Sequence, residues 1–314
     1  MVEVAEIMSR RNFLPENITM NNHITGVIIQ ARTGSTRLPS KILMDLPYGS
    51  GVTVLEQVIR RVQKSKQTDI IVIATTKRNE DDIIIDIAKR CGAEWFRGSS
   101  SDVLSRYYHA ATAFHVDTVV RVTSDCPCID PVIIDRCITS FVEQDVDYLS
   151  NTLSRSFPHG LDVEVFSFKA LSSAFKKAVR PQEREHVTPF IISNNKRFSH
   201  GAVSAEAGEH GPEIRITLDT LDDYMLLCLV FDYLYQCNPF FGVKEIVSLF
   251  RRKPFLNLIN RKILQKRPCN SLEEEFSEAL RLLELQELNK MVSLIRENRT
   301  YLLHQKQKNS SNEL

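Results

Sequence analysis

Glycine is scarce in this chain: 11 residues in 314, about half the usual usage. That excludes glycine-rich repeats, and no Gly-x-Gly-x-x-Gly dinucleotide fingerprint is present. Neither sign of charge dominates. Lys and Arg number 40 against 39 Asp and Glu, a net charge of +1, which argues against a nucleic-acid partner held by bulk charge. No apolar run approaches ~18 residues, so no transmembrane helix and no membrane partner is expected. The first 22 residues carry no apolar core of signal-peptide length. The seven cysteines, at 91, 126, 128, 137, 228, 237 and 269, are scattered and odd in number. They make a poor disulfide framework and suggest a reducing, cytoplasmic setting. Cys126 and Cys128 flank Pro127 without a second Cys/His pair at zinc spacing, and read as packed thiols. The remainder, 43% hydrophobic and 25% charged, is the composition of an ordinary globule.

Residues 1–24 read as a flexible leader. Short β-branched runs then alternate with amphipathic stretches. Strands are predicted over 26–31, 69–75, 94–96 and 118–123, and helices over 54–62, 79–91, 102–114 and 131–142. Asn79 reads as a helix cap, Gly92 as a stop, and Pro131 as a first helical residue behind an Asp130 cap. Such alternation implies right-handed crossovers and a mostly parallel, covered sheet. After 146 the pattern shifts to strand-like segments at 147–150, 162–166 and 214–217, with helices near 168–178, 183–194 and 221–236. Beyond 255, apolar residues from Leu272 to Leu294 fall at helical spacing, as in a docked amphipathic helix or an oligomer helix. The domain expectation is therefore a catalytic domain over 25–254, a helical extension over 255–304 and a disordered tail over 305–314.

In an open parallel sheet, ligands sit beyond the carboxyl ends of the strands. The loop after the first strand, residues 31–41, holds Arg32, Arg37 and Lys41, the hydroxyls of Thr33, Ser35 and Thr36, and Gly34. Small residues let backbone N–H groups approach an anion, and guanidinium forks suit phosphate oxygens. This is a polyphosphate loop by composition, although not of the Walker type. After the fourth strand comes Asp125. A carboxylate facing a triphosphate is tolerable when a divalent cation lies between them. Asp219 ends a later strand-like run, and two such aspartates are able to hold the one or two Mg²⁺ ions that clamp a transferring phosphoryl group.

These residues resemble a known family. The run 29–41 is similar to the signature of the cytidylyltransferases that activate sugar acids as CMP derivatives, most of all the spore coat polysaccharide biosynthesis protein F group. Matching motifs follow in the same order at 96–99, 102–104, 106–108, 124–127, 129–131, 150–152, 160–164, 183–189 and 215–220, so the resemblance covers roughly 25–250. It implies a nucleotide-diphospho-sugar transferase fold: an α/β/α sandwich with a mixed, mostly parallel sheet, here with a C-terminal helical extension. It implies transfer of CMP from CTP to an acidic sugar acceptor with loss of pyrophosphate. By the same resemblance, Ala31, Arg32, Gly34, Ser35, Arg37 and Lys41 hold the triphosphate, and Arg97, Ser99, Asp102 and Arg106 line the nucleotide side. Asp125 and Asp219 bind Mg²⁺. Asn151, His159, Asp162, Glu164, Arg184, Glu185 and His186 fall where the acceptor lies. Arg37, Lys41 and Asp125 are the expected catalytic residues, and a homodimer is expected.

The chain departs from the family pattern at three places. Ser40 stands where the family usually has Gly before Lys41, Ser124 where it has Gly before Asp125, and Leu221-Asp222 where it has Pro-Glu. Two other readings stay open at this point. One is a nucleotidyltransferase for another nucleotide or a non-sugar acceptor; the other is a nucleotide-binding scaffold with reduced turnover.

Overall fold

The structure is a computed structural model that describes residues 23–263 and 272–299. Almost all of the expected leader, and the whole 305–314 tail, lie outside the described residues. The described residues divide into two compact units, one up to Ile259 and one from Asn260.

The first unit is built on a seven-stranded sheet. Its strands are β1 (Thr25–Gln30), β2 (Ile70–Thr76), β3 (Glu94–Gly98), β4 (Thr118–Thr123), β5 (Tyr148–Ser150), β6 (Glu164–Ser167) and β7 (His200–Ala202), in the spatial order β3-β2-β1-β4-β6-β5-β7. The first four run parallel. β6 lies antiparallel to both β4 and β5, and β7 runs parallel to β5. This is the mixed, mostly parallel sheet that the resemblance implied.

The sheet is covered on both faces because its strands are apolar on both. Val27 and Ile29 of β1 face one core, and Ile28 between them faces the other. The first core takes helices α1 (Val54–Val62), α2 (Asp82–Arg90) and α4 (Pro131–Gln144). The second takes α3 (Val103–Ala113) and α5 (Phe168–Lys177). Helix α1 shows why the sequence was readable here. Thr53 and Glu56 form a reciprocal capping box, and Val54, Leu55, Val58, Ile59 and Val62 are fully buried. Arg61 of the same helix is buried too, and its guanidinium donates to the carbonyls of Ile129, Pro239 and Phe241. It thereby ties α1 to the start of α4 and to the segment before a later helix.

Several expectations need correction. Asn79 does not cap a helix: residues Asn79–Asp81 form a 3₁₀ turn ahead of α2. The predicted helix over 183–194 is broken into α6 (Pro181–His186) and α7 (Pro189–Ser193). The predicted strand over 214–217 makes only a single parallel bridge, Arg215 to His159. That segment leads into α8 (Leu221–Leu234), which is followed by α9 (Val243–Arg252) and α10 (Leu256–Ile259). Strand β7 and helix α9 were not foreseen. Leu221, where the family has Pro, is the first residue of α8. Pro is favoured at that position but not required.

In the second unit, the single helix expected over 272–294 is two: α11 (Leu272–Leu285) and α12 (Asn289–Glu297). The chain turns between them with Glu287 at φ 56°. The two helices pack on each other, with Val292 buried and Arg296 paired to Glu284.

Gly160 is the glycine that the fold requires. Its φ is +113°, and a Cβ there would stand 2.7 Å from the carbonyl carbon and oxygen of Ile216. Gly34 is different: the nearest atom to its virtual Cβ is 3.7 Å away, and its φ is not left-handed. Gly160→Ala is expected to cost about 2 kcal/mol or more, because strain and a backbone clash act together. Gly34→Ala should stay within about 0.5 kcal/mol. Urea denaturation of the two variants checks both; equal stabilities would refute the assignment.

Candidate active site

The loop after β1 is shaped by Thr33. Its backbone N–H and its hydroxyl both donate to Asp81 Oδ1, at 2.7 and 2.8 Å. Its carbonyl accepts from Ser35 N and Ser40 N. Asp81 is buried, and its other oxygen accepts from the Thr76 hydroxyl. A buried carboxylate from the β2–α2 connection therefore pins the middle of the loop, leaving Arg32, Gly34, Thr36 and Arg37 exposed. Ala31 is buried at the root of the loop, and its N–H bonds to the carbonyl of Ala74 on β2. Arg32 and Gly34 line a small cleft with Thr76, Arg78, Asp81 and Ser100.

At the end of the loop the chain turns inward. Ser40 sits at φ 54°, ψ 24°, a left-handed conformation. Here lies the physical reason that glycine suits this position. Ser124, the other serine in a usual glycine place, is not left-handed. Lys41 follows, held at the start of a 3₁₀ turn (Lys41–Leu43) by the buried Ile42. Its ammonium donates to Asp125 Oδ2 at 2.8 Å, Asp219 Oδ1 at 2.9 Å and the Leu218 carbonyl at 2.6 Å.

The two aspartates meet because the segment 214–219 crosses the loop after β4. Leu218 N–H donates to the Asp125 carbonyl at 2.8 Å, as does the Thr217 hydroxyl at 3.2 Å. Arg37 adds an ion pair to Asp219 Oδ1 at 3.0 Å. On the far side Arg215 reaches Asp219 Oδ2 at 2.8 Å and both oxygens of Asp223. Asp223 in turn closes the capping box of α8 with Thr220. Burial alone would raise the Asp219 carboxyl, but Lys41, Arg215 and Arg37 outweigh it and hold the group at about 2. Burial would lower the Lys41 ammonium, yet the two carboxylates leave it above its ordinary value. The charges of Lys41 and Asp219 are therefore fixed across the physiological range.

The residues assigned to the nucleotide side mostly build the walls. Arg97 bonds the carbonyls of Thr76 and Arg78 and pairs with Asp82. The Ser99 hydroxyl accepts from Asp102 N, and Asp102 caps α3. Arg106 is buried beneath Gly98 and donates to the Ser99 carbonyl, while its Nε has no hydrogen-bond partner.

The acceptor set divides. His159 joins the aspartate cluster: Arg215 Nη1 lies 3.1 Å from its Nδ1, so that nitrogen accepts and the proton sits on Nε2. Burial, with Arg155 and Arg215 close by, lowers its pKa and leaves it neutral at pH 7. Asp162 is held bidentate by Arg155 at 2.8 and 3.0 Å. Asn151 is buried and clasps the backbone of Leu161 and Val163. Glu164, the first residue of β6, is buried, paired with Arg121 and accepting from the Tyr148 and Thr188 hydroxyls. Arg184 pairs with Asp102, so these two residues, expected on opposite sides, form one contact. Glu185 and His186 are exposed at the end of α6. Val187, next in line, has φ 71° and ψ −58°, closed by Thr188 N donating to the His186 carbonyl. A β-branched residue is strained there.

Asp81, Arg155, Arg215 and Asp223 were not singled out from sequence. Arg215 carried the signal of opening the matched motif 215–220, and Asp223 the Thr-x-x-Asp spacing of a capping box.

Comparison with known proteins identifies the family. The cytidylyltransferase family model matches residues 26–236. The chain belongs to the cytidylyltransferase family. It is 32% identical over 232 residues to the spore coat polysaccharide biosynthesis protein SpsF of Bacillus subtilis, covering 72% of this chain and 94% of that one. It is 35% identical over 239 residues to an uncharacterized protein of Methanocaldococcus jannaschii, 76% of this chain and 95% of the other. A solved cytidylyltransferase from Leptospira borgpetersenii superposes with a TM-score of 0.71 at 33% identity, covering 78% of this chain and all of that one. The chain is thus a nucleotidyltransferase of the class that moves CMP from CTP.

Two outcomes follow for this cytidylyltransferase. The lowered Asp219 carboxyl contributes stability above its unfolded value of 3.8, and that contribution is lost as the pH falls through about 2. Asp219→Asn should flatten this acid limb in a pH series of denaturant melts; an unchanged limb would exclude the ion-pair cluster as its source. Ser40→Gly relieves a left-handed serine and should stabilise by up to about 1 kcal/mol, whereas Ser124→Gly should not. Thermal melts of the two variants decide between them.

Proposed function

We propose that this enzyme transfers CMP from CTP to the oxygen of a sugar-acid acceptor, with Mg²⁺ and release of pyrophosphate, in the synthesis of a surface polysaccharide. The catalytic work is assigned to residues 25–254. The observation that carries the reading is the convergence of Arg37 and Lys41 with Asp125 and Asp219 on one ammonium-sized spot beside the loop after β1.

The donor set suits a hard divalent cation. Two carboxylate oxygens already bracket a positive charge, and Mg²⁺ is commonly bound by one or two carboxylates with substrate phosphates and waters. Asp125 and Asp219 would hold it, and when bound it neutralises the triphosphate and the departing pyrophosphate. The protein's own groups do the rest. Arg32 and Arg37, exposed on a loop pinned at Thr33, supply guanidinium forks for the phosphate oxygens. Lys41 adds a point charge at the root of the same loop. Attack on the α-phosphorus needs in-line placement and charge neutralisation more than covalent chemistry. The acceptor is assigned to the side bounded by His159, Asp162 and the exposed Glu185 and His186. SpsF, by its name a spore coat polysaccharide biosynthesis protein, supports the pathway.

The test is pyrophosphate release with Mg²⁺ and each of the four nucleoside triphosphates, screened across sugar acids. CTP with a sugar acid should give turnover. Turnover with another nucleotide or with a non-acidic acceptor alone would replace the reading. Asp125→Ala should abolish release, and near-wild-type turnover in that variant would refute the metal role. Arg37→Ala should raise the barrier by about 2–4 kcal/mol, roughly 30- to 1000-fold in turnover.

A further inference from the structure

The Lys41 ammonium has three N–H donors and all three are used, on Asp125 Oδ2, Asp219 Oδ1 and the Leu218 carbonyl. Its side chain is only 12% exposed. The cradle around it does not depend on it. The backbones of Asp125 and Leu218 are bonded to each other, and Asp219's second oxygen is held by Arg215. What places Lys41 is its backbone, anchored by Ile42 in the core; the four-carbon stem is the flexible part. Its own loop ends in the exposed residues Arg37 and Ser40, on the side assigned to the triphosphate.

We infer that Lys41 is a tethered stand-in for the divalent cation: it occupies the cradle in the nucleotide-free enzyme, and the arriving nucleotide draws its ammonium out to phosphate, opening the cradle to metal. The inference rests on the reading of Asp125 and Asp219 as the cation's ligands and adds an order to it. Metal alone competes with a tethered ammonium that already satisfies both carboxylates, so it binds poorly. Nucleotide supplies the ammonium with other anionic oxygens, so metal and nucleotide bind with positive coupling, and the coupling is reciprocal. The cradle is never left with two facing carboxylates and no cation between them, which would be costly in a site this shielded.

The experiment is calorimetric titration of the full chain with Mn²⁺, without nucleotide. Lys41→Met should bind Mn²⁺ at least tenfold more tightly than the wild type. Arg37→Met removes a cation from the same Asp219 oxygen without emptying the cradle, and should gain less than threefold. Equal affinity in Lys41→Met and wild type overturns the proposal, as does an equal gain in both variants, since that reports general electrostatics. In the wild type, the ¹⁵N signal of the Lys41 ammonium should shift when Mg²⁺ and a non-hydrolysable CTP analogue are added together, and not with Mg²⁺ alone. A shift with Mg²⁺ alone overturns the proposal without reliance on any variant's folding. Mn²⁺ binding by none of the proteins, even with the CTP analogue, would instead overturn the ligand reading itself.

Discussion

The hydrogen bond from Leu218 N to the Asp125 carbonyl is the constraint on which the active site hangs. Asp125 stands at the end of β4, in the parallel core of the sheet. Asp219 belongs to a stretch that forms no regular strand. Only the crossing of the two backbones brings their carboxylates to one point. The crossing in turn needs Gly160, where the Ile216 backbone passes too close for any side chain. A single peptide contact thus converts two aspartates, each unremarkable in its own sequence neighbourhood, into a cation cradle. Arg215, four residues before Asp219, then fixes the orientation of the second carboxylate and passes the constraint on to His159 and Asp223.

A second set of polar groups lies beneath the site. Gln30, Arg121, Glu164 and Tyr148 come from four adjacent strands, β1, β4, β6 and β5, and are linked side chain to side chain. Thr188 joins through its hydroxyl. Breaking a buried, paired charge costs far more than its presence contributes, so such a layer acts as a register lock more than as a source of stability. One end lies at Gln30, immediately before the loop that follows β1. The other lies at Thr188, immediately after the strained Val187 and the exposed pair Glu185 and His186. The strain at Val187 persists because the residue and the one after it are held: its side chain is fully buried, and Thr188 is tied to Glu164.

Much of this was legible in the sequence, for identifiable reasons. The parallel strands and α1 to α4 carry strong periodic signals, with a cap at Asp130 that the structure uses. The loop after β1 stands out by composition and by its place after the first strand. The second half was harder. The break at Val187 is marked in 183–194 only by Pro189, which opens α7; the residue that adopts the left-handed conformation is not a glycine and gives no signal of its own. The three-residue β7 is set by pairing with β5 rather than by its own residues, His200, Gly201 and Ala202.

The family motifs were less reliable for roles than for identity. Asp102, Glu164 and Asn151 lie in matched motifs, yet their side chains are spent on a helix cap, a buried ion pair and a backbone clasp. Motif residues persist for two physical reasons, contact with substrate and placement of whatever makes that contact, and sequence does not separate the two. Burial does. Each of these three has its polar atoms committed to protein partners. Arg32 and Arg37 are exposed, and Lys41 places its ammonium between Asp125 and Asp219. The glycine shortage resolves in the same way. Gly160 is irreplaceable for steric reasons and Ser40 holds a left-handed turn at some cost, while Ser124 sits in an ordinary conformation, where glycine's extra freedom serves no steric need. Only the first two bear on the path by which Lys41 and Asp219 come to face each other.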